Sequence, residues 1–248
     1  MLDHARGGND TITAHGPGSV YGDAVLGLAD HATGGDDTLA AQLASPSAVT
    51  LNLYGDAGAS ISDRANGGND TLSVASTGAA DAFNLYGDAG KNISNHAAGG
   101  DDSFTLSAFA NTFTIYGDAG GNVSDYAVGG NDTATDGSGE QFVTFYGDAG
   151  GNMSGHARGG NDALNTGLED SVVFFGDAGG NLGDRAVGGD DAMNVASTSL
   201  VVAYGDALSM TANASGGNDT FVFNNSDNGQ DRIQEALRPQ DFVFALMT

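Results

Sequence analysis

The stretch YGDAGGNVSDYAVGGNDT, from Tyr116 to Thr133, consists almost entirely of Gly, Asp, Asn and small side chains. Most of it recurs seven times along a chain of 248 residues. A single copy has too few apolar residues to form a core and too many acids to collapse unaided. Because a fixed period dictates the architecture of a chain, the repeat is the first feature to interpret.

Two blocks define each repeat. The block Gly-Gly-[Asn/Asp]-Asp occurs eight times and [Tyr/Phe]-Gly-Asp-Ala seven times. The Gly-Gly aspartates are Asp10, Asp37, Asp70, Asp102, Asp132, Asp162, Asp191 and Asp219; the Tyr-Gly aspartates are Asp23, Asp56, Asp88, Asp118, Asp148, Asp177 and Asp206. From a Tyr-Gly aspartate to the next Gly-Gly aspartate is 14 residues six times and 13 once, whereas the return distance varies from 13 to 19. One half of each unit of about 30 residues therefore has a fixed length, and the other carries a loop that can grow.

Apolar residues hold the same register in every unit. An Ala precedes each Gly-Gly aspartate by five residues, and an apolar residue such as Leu72 or Phe104 follows it by two. Local alternation before the Tyr, as in Leu51-Asn52-Leu53, is typical of a strand with one face inward. Each unit predicts about three short strands joined by Gly, Asn and Asp corners, and stacked units share one core. The sequence therefore predicts an all-β parallel β-solenoid of about eight rungs over residues 1–223, with residues 224–248 as a C-terminal cap.

Charge excludes several classes of partner. The chain has 32 acidic and 7 basic residues, a net charge of −25, and no Cys. The basic surface that nucleic acid requires is missing, and anionic membranes would repel such a chain. No apolar run approaches the roughly 18 residues of a membrane helix, so we expect no membrane insertion.

Stacking creates an electrostatic problem. Equal positions lie about 4.8 Å apart on successive rungs, and two carboxylates at that distance repel by about 3 kcal/mol at an effective dielectric near 20. A third, interrupted column stands seven residues before the Gly-Gly aspartates: Asp3, Asp30, Asp63, Asp125 and Asp184, with Asn95 and Gly155 in two of its positions. A hard divalent cation with oxygen ligands would neutralise all three columns, and calcium accepts both carboxylates and backbone carbonyls. We therefore predict several Ca²⁺ ions held by these aspartates.

The same residues carry a family resemblance. GGNDTL, from Gly67 to Leu72, and YGDAG, from Tyr54 to Gly58, resemble pieces of the RTX, or haemolysin-type, calcium-binding nonapeptide. The resemblance implies that Asp70 and its seven equivalents are calcium ligands and that the ion drives folding. Ala65 and Asn66 replace the first two glycines of the nonapeptide, and the longer repeat predicts a wider, three-sided cross-section.

The C-terminal sequence resembles that of exported RTX proteins. Gly216 to Ile233 is similar to the coil that closes the arrays of serralysin-type proteases, and Asp241-Phe242-Val243-Phe244 is similar to an uncleaved type I secretion signal. No N-terminal signal peptide is visible. These resemblances imply a secreted or cell-surface bacterial protein.

Other residue patterns give weaker signals. His4, His31, His96 and His156 share one position with Arg64, Tyr126 and Arg185, which favours a surface column over a zinc stripe. A column of Tyr21, Tyr54, Tyr86, Tyr116, Tyr146, Phe175 and Tyr204 favours a stabilising ladder. No catalytic arrangement is apparent, and we expect no enzymatic activity.

Three roles fit this interpretation. One is a structural extracellular rod that self-associates end to end into a filament or surface layer, which we favour. The second is the secretion and folding module of a larger exoenzyme, and the third is an adhesin that binds sugars through the Tyr column.

Overall fold

The computed structural model describes residues 1–44, 47–78, 80–108, 111–137, 141–167, 171–196 and 200–223, together with the backbone of two later strands. These parts form an all-β parallel solenoid of about seven turns, roughly 30 residues apart, which confirms the predicted fold class. Within them, no helix is long and apolar enough to cross a membrane.

Two parallel sheets form the walls of the solenoid. The first contains nine strands, in spatial order β1 (Thr11–Ala14), β3 (Thr38–Leu43), β5 (Thr71–Ser76), β7 (Ser103–Ala108), β9 (Thr133–Asp136), β11 (Ala163–Thr166), β14 (Ala192–Val195), β17 (Asp219–Phe223) and β19 (Phe242–Leu246). The second contains eight strands, β2 (Gly18–Tyr21), β4 (Thr50–Tyr54), β6 (Ala82–Tyr86), β8 (Thr112–Tyr116), β10 (Phe142–Tyr146), β12 (Ser171–Phe175), β15 (Val201–Tyr204) and β18 (Arg232–Gln234). Every strand pairs with its equivalents on neighbouring rungs, in the register that the repeat predicts: Leu72, for example, lies opposite Phe104.

A third side closes each rung with very little regular structure. It consists mainly of single-residue parallel bridges, such as Ala57 to Ala89 and Ile61 to Ile93. Only near the end of the described solenoid does it form a two-stranded sheet, of β13 (Ala178–Leu182) and β16 (Ala207–Met210). The three-sided cross-section expected from the repeat length is therefore present, with two long sides and one irregular side.

The apolar side chains divide into two separate cores. The main core lies between the two large sheets and includes Leu72, Phe83, Phe113 and Phe145, all fully buried. A second, narrower core lies behind the third side and is built from columns of small residues: Ala57 and its equivalents, Ile61 and its equivalents, and the Ala column that includes Ala65. The fixed half of each repeat is the segment that wraps this small core.

The C-terminal segment continues both sheets. Strand β18 pairs with β15, and β19 pairs with β17, both in parallel. The capping role of residues 224–248 stays a prediction. Asp241, part of the predicted secretion signal, lies outside the described residues.

A matched pair of substitutions on β10 tests the assignment of faces. Phe145 is fully buried in the main core, whereas Phe142, three residues earlier, is 47% exposed. We expect Phe145→Ala to lower the free energy of unfolding by about 3–5 kcal/mol, because it leaves a cavity in a close-packed core. Phe142→Ala should change it by only about 0.5 kcal/mol or less. Urea unfolding followed by circular dichroism measures both, and equal losses would contradict the assigned faces.

Candidate metal centre

The two main columns, formed by the Tyr-Gly aspartates and the Gly-Gly aspartates, lie between the two cores. This region between the cores is called the neck. Each Tyr-Gly aspartate follows a strand of the second sheet after one glycine and directly precedes an Ala of the small core, as Asp56 precedes Ala57. Each Gly-Gly aspartate lies where the chain leaves the small core and enters the first sheet, as Asp70 precedes β5. The sequence thus places both columns between the two cores.

Nearly all of these carboxylates are buried. Asp56, Asp88, Asp118, Asp148 and Asp177 have no exposed surface, and the Gly-Gly aspartates from Asp37 to Asp219 are at most 5% exposed. Asp206 is also buried. Asp10 and Asp23 are less buried because they belong to the first turns of the described solenoid. A double row of acidic groups therefore runs along the interior of the protein.

The Gly-Gly aspartates form a ladder along the axis. The backbone N–H of each donates to the Oδ1 atom of the equivalent aspartate one rung further along, from Asp10 to Asp37 through Asp191 to Asp219, at 2.6 to 2.9 Å. This bond occupies one carboxylate oxygen on each rung. The other oxygen, Oδ2, is buried without a hydrogen-bond partner in Asp37, Asp70, Asp102, Asp132, Asp162 and Asp191.

The Tyr-Gly aspartates bond across the neck within one rung. Each accepts a hydrogen bond from the N–H of the second glycine of the Gly-Gly block, for example Gly130 to Asp118 at 2.9 Å and Gly160 to Asp148 at 2.8 Å. Asp56, Asp118, Asp148 and Asp177 each retain one buried oxygen without a partner. Both columns therefore present unused carboxylate oxygens to the same neck.

Burial of so much charge raises the pKa values of these carboxyl groups. Loss of solvent raises the pKa of Asp37 to about 6, of Asp118 to about 7 and of Asp70 to about 8. Burial, followed by repulsion from Asp70 and Asp102 in the facing column, also raises the pKa of Asp56 and Asp88 respectively. The neck thus favours either bound protons or a bound cation.

Backbone carbonyls come close to the unused oxygens. A Cβ atom on Gly117 would stand 2.0 Å from Asp132 Oδ2 and 1.8 Å from the carbonyl oxygen of Gly147 on the next rung. The equivalent glycines, such as Gly55 and Gly87, have the same two neighbours. Glycine is therefore required between the Tyr and the Asp because any side chain would overlap both oxygens. A mixture of carboxylate and carbonyl oxygens is the ligand chemistry that calcium prefers.

The residues present fit calcium in ligand type and in charge. Among the described residues, however, no three His, Cys, Asp or Glu side chains converge on one point. An ion held here would need the glycine carbonyls to complete its coordination, in addition to aspartates from neighbouring rungs.

The third aspartate column has a different environment. Asp30, Asp63, Asp125 and Asp184 are exposed, and each has a positive φ, between 53° and 66°. Asn95 and Gly155, which take the same place on other rungs, also have positive φ. Asp, Asn and Gly are the residues that most readily adopt this conformation. Turn geometry therefore explains why Asp, Asn and Gly occupy this column. Its role in calcium binding stays a prediction, because these aspartates are not part of the buried neck.

Two further ladders are absent from the sequence interpretation. The third position of the Gly-Gly block forms an exposed chain of hydrogen bonds between rungs. The Asn9 amide donates to the Asp36 carboxylate, and from Asp36 onward each side-chain oxygen accepts from the backbone N–H of its equivalent on the next rung, through Asn69, Asp101, Asn131, Asn161, Asp190 and Asn218. The strict restriction of this position to Asn or Asp is the sequence signal that could have predicted this ladder.

At the opposite corner, buried Asp81 accepts from Val49 N–H and from the Ser76 hydroxyl, and donates its N–H to Asn111. Loops of variable length hide that column from a search by spacing.

The remaining columns lie where the sequence predicts. His96, Tyr126 and His156 stack at ring-centroid separations of 5.0 and 4.7 Å on the exposed corner, and Tyr126 is 53% exposed. The predicted Tyr ladder is continuous.

No protein-family model, curated protein or solved structure matches this chain.

A paired substitution tests the close approach at the neck. We expect Gly117→Ala to destabilise the fold by about 1–3 kcal/mol or more, because a backbone carbonyl and a buried carboxylate occupy the space of the new methyl group. Gly137→Ala is the control, since nothing lies within 4 Å of its Cβ position. Denaturant unfolding compares the two, and a Gly117→Ala protein as stable as the control would contradict the geometry of the neck.

The raised pKa values predict an acid-stabilised fold when metal is absent. An aspartate with a raised pKa contributes stability that is complete below its unfolded value, near 4, and that is lost as pH rises through its folded value. In chelator, the β signal in circular dichroism should therefore be strongest near pH 4–5 and decline through the region of pH 6–8 that Asp37, Asp118 and Asp70 define. Added salt should leave this decline in place, because buried charges are poorly screened. A metal-free fold that gains stability between pH 5 and pH 8 would contradict the buried, raised-pKa assignment.

Proposed function

We propose that this protein is a calcium-dependent structural rod that folds and acts outside the cell. The observation that carries the proposal is the double row of buried carboxylates at the neck, with one unused oxygen on most of its members. At neutral pH these groups would ionise in water, and an uncompensated buried charge is strongly destabilising. A cation bound at the neck would compensate the buried negative charge without changing the fold.

Calcium is the ion that fits best. The donors are hard oxygens, from carboxylates of both columns and from glycine carbonyls such as that of Gly147. Calcium tolerates irregular geometry and six to eight oxygen ligands, whereas magnesium demands a nearly ideal octahedron and retains its water. The chain itself has 7 basic residues against 32 acids, so side-chain cations cannot provide the same neutralisation.

The proposed location follows from the ion. Extracellular calcium-binding modules work with dissociation constants of about 10⁻⁴–10⁻³ M, so a weak site suffices where calcium is abundant. Inside a cell, the repulsion between columns would keep the chain unfolded until export. The resemblance of the C-terminal sequence to a type I secretion signal supports the same location.

The rod role has support from the parallel stacking of the rungs. The strands of the two large sheets pair with their equivalents on neighbouring rungs, so the protein extends along one axis. The sugar-binding alternative gains no support, because the inner Tyr rings cover each other's faces and turn only their edges outward.

A calcium titration at neutral pH tests the proposal. Circular dichroism should show the β signal only after calcium is added, and magnesium at the same concentration should give little. Growth of light scattering with protein concentration would then indicate end-to-end assembly. If the chain is equally folded in chelator at pH 7.5, the carboxylate columns do not need a cation and the proposal fails.

A matched pair of variants assigns the site. Asp132→Asn removes a buried carboxylate from the neck, and we expect the calcium midpoint of folding to rise by about tenfold, since ligand charge sets calcium affinity over orders of magnitude. Asp125→Asn is the control: it also removes one acid, but from an exposed position where Asn95 occurs naturally on another rung. Equal midpoints for the two variants would place the ion elsewhere.

A further inference from the structure

The Tyr column forms an uninterrupted stack of aromatic rings. Six successive ring pairs have centroid separations of 4.5 to 5.1 Å and interplanar angles of 2° to 10°. The rings belong to Tyr21, Tyr54, Tyr86, Tyr116, Tyr146, Phe175 and Tyr204, each at the end of a strand of the second sheet. Five phenols are therefore contiguous, and Phe175 separates them from Tyr204.

The fold holds these rings rigidly. A glycine on the next rung lies against one edge of each of the first five rings: a Cβ on Gly90 would stand 2.7 Å from Tyr54 Cε1, and one on Gly120 would stand 2.5 Å from Tyr86 Cε1. The tyrosines of the column are only partly buried, so water reaches the stack from outside.

We propose that this ring column is a site of one-electron oxidation in which the oxidised state moves between stacked phenols. An external one-electron oxidant removes an electron from one Tyr, and the phenolic proton goes to water, leaving a tyrosyl radical. The radical then takes an electron and a proton from a neighbouring Tyr, which restores the first phenol and moves the radical by one rung. The rings are in contact and chemically alike, so each step is close to thermoneutral.

Phe175 marks the natural boundary of this path. A benzene ring without a hydroxyl is much harder to oxidise than a phenol, so the radical remains among Tyr21, Tyr54, Tyr86, Tyr116 and Tyr146. Face-to-face stacking prevents neighbouring rings in one column from forming a ring-to-ring carbon bond. Two radicals on separate copies can form that bond between their ortho carbons, and each ring returns to aromaticity as the proton on its ortho carbon moves to its own oxygen, which restores the phenol. The product is a covalent link between two copies of the chain.

The absence of Cys from the sequence allows a sharp test. Ser19 is exposed on β2, two residues before Tyr21, so Ser19→Cys can carry a thiol-linked ruthenium(II) polypyridyl photo-oxidant with a cobalt(III) ammine as electron acceptor. A nitroso spin trap and peptide mass spectrometry locate the radicals after a flash. Labelled protein with intact circular dichroism should show trapped radicals as far as Tyr116 and Tyr146, rungs away from the photo-oxidant.

A break in the column provides the decisive comparison. Tyr86→Phe places in the middle of the stack the residue that position 175 already has, so the column should remain packed. We expect trapping at Tyr116 and Tyr146 to fall several-fold, while trapping at Tyr21 and Tyr54 persists. Tyr126→Phe is the control, because Tyr126 belongs to the other, exposed ring column and should leave the pattern unchanged. Trapping confined to Tyr21 in the parent protein, or equal distal trapping in Tyr86→Phe, would overturn the proposal. Tyr116→Phe repeats the comparison if Tyr86→Phe alters the circular dichroism.

Discussion

Parallel stacking in register is the constraint on which the rest of this structure depends. Each residue of the paired strands lies beside its own equivalent on the adjacent rung, so each residue type in these positions recurs as a column along the axis. Apolar and aromatic columns are stabilised by this repetition, because like side chains pack against each other on successive rungs. Buried carboxylates do not, because like charges then face each other about 4.8 Å apart. The ladder of aspartate N–H to carboxylate bonds relieves this repulsion only in part, since it uses one oxygen of each group.

The division into two cores explains why the acids are buried at all. In each rung the chain passes twice between the large sheets and the small third side, and at both corners the backbones of neighbouring rungs come close together. Glycine permits the close approach, and the aspartates satisfy backbone N–H groups that the corners leave free, as Asp118 does for Gly130. Apolar residues could not supply these acceptors. The same residues that make the neck geometrically possible therefore make it electrostatically dependent on protons or on a cation.

The sequence was sufficient for the fold but not for the environment of each acid. Period and apolar register predicted the parallel solenoid and its inward residues, such as Leu72 and Phe104, because identical slots must stack. Spacing could not distinguish a buried aspartate from one that turns the chain outward, so Asp63 and Asp70 received the same interpretation. The presence of Asn95 and Gly155 in the third column was the available clue, since both favour positive φ. The two separate cores were not predictable from spacing, because an interval of 14 residues does not reveal that the segment closes around a core of its own.

The motif Tyr-Gly-Asp couples the outside of the rod to its inside. Within three consecutive residues, Tyr116 stacks on the exterior, Gly117 meets the next rung, and Asp118 enters the neck. All three contacts depend on one quantity, the separation between rungs. A cation that draws carboxylates of successive rungs together therefore also sets the distance between aromatic rings on the opposite side of the corner. If the proposed ion binds at the neck, its loss would loosen both columns at once, because the contact between stacked rings and the distance between carboxylates depend on the same rung spacing.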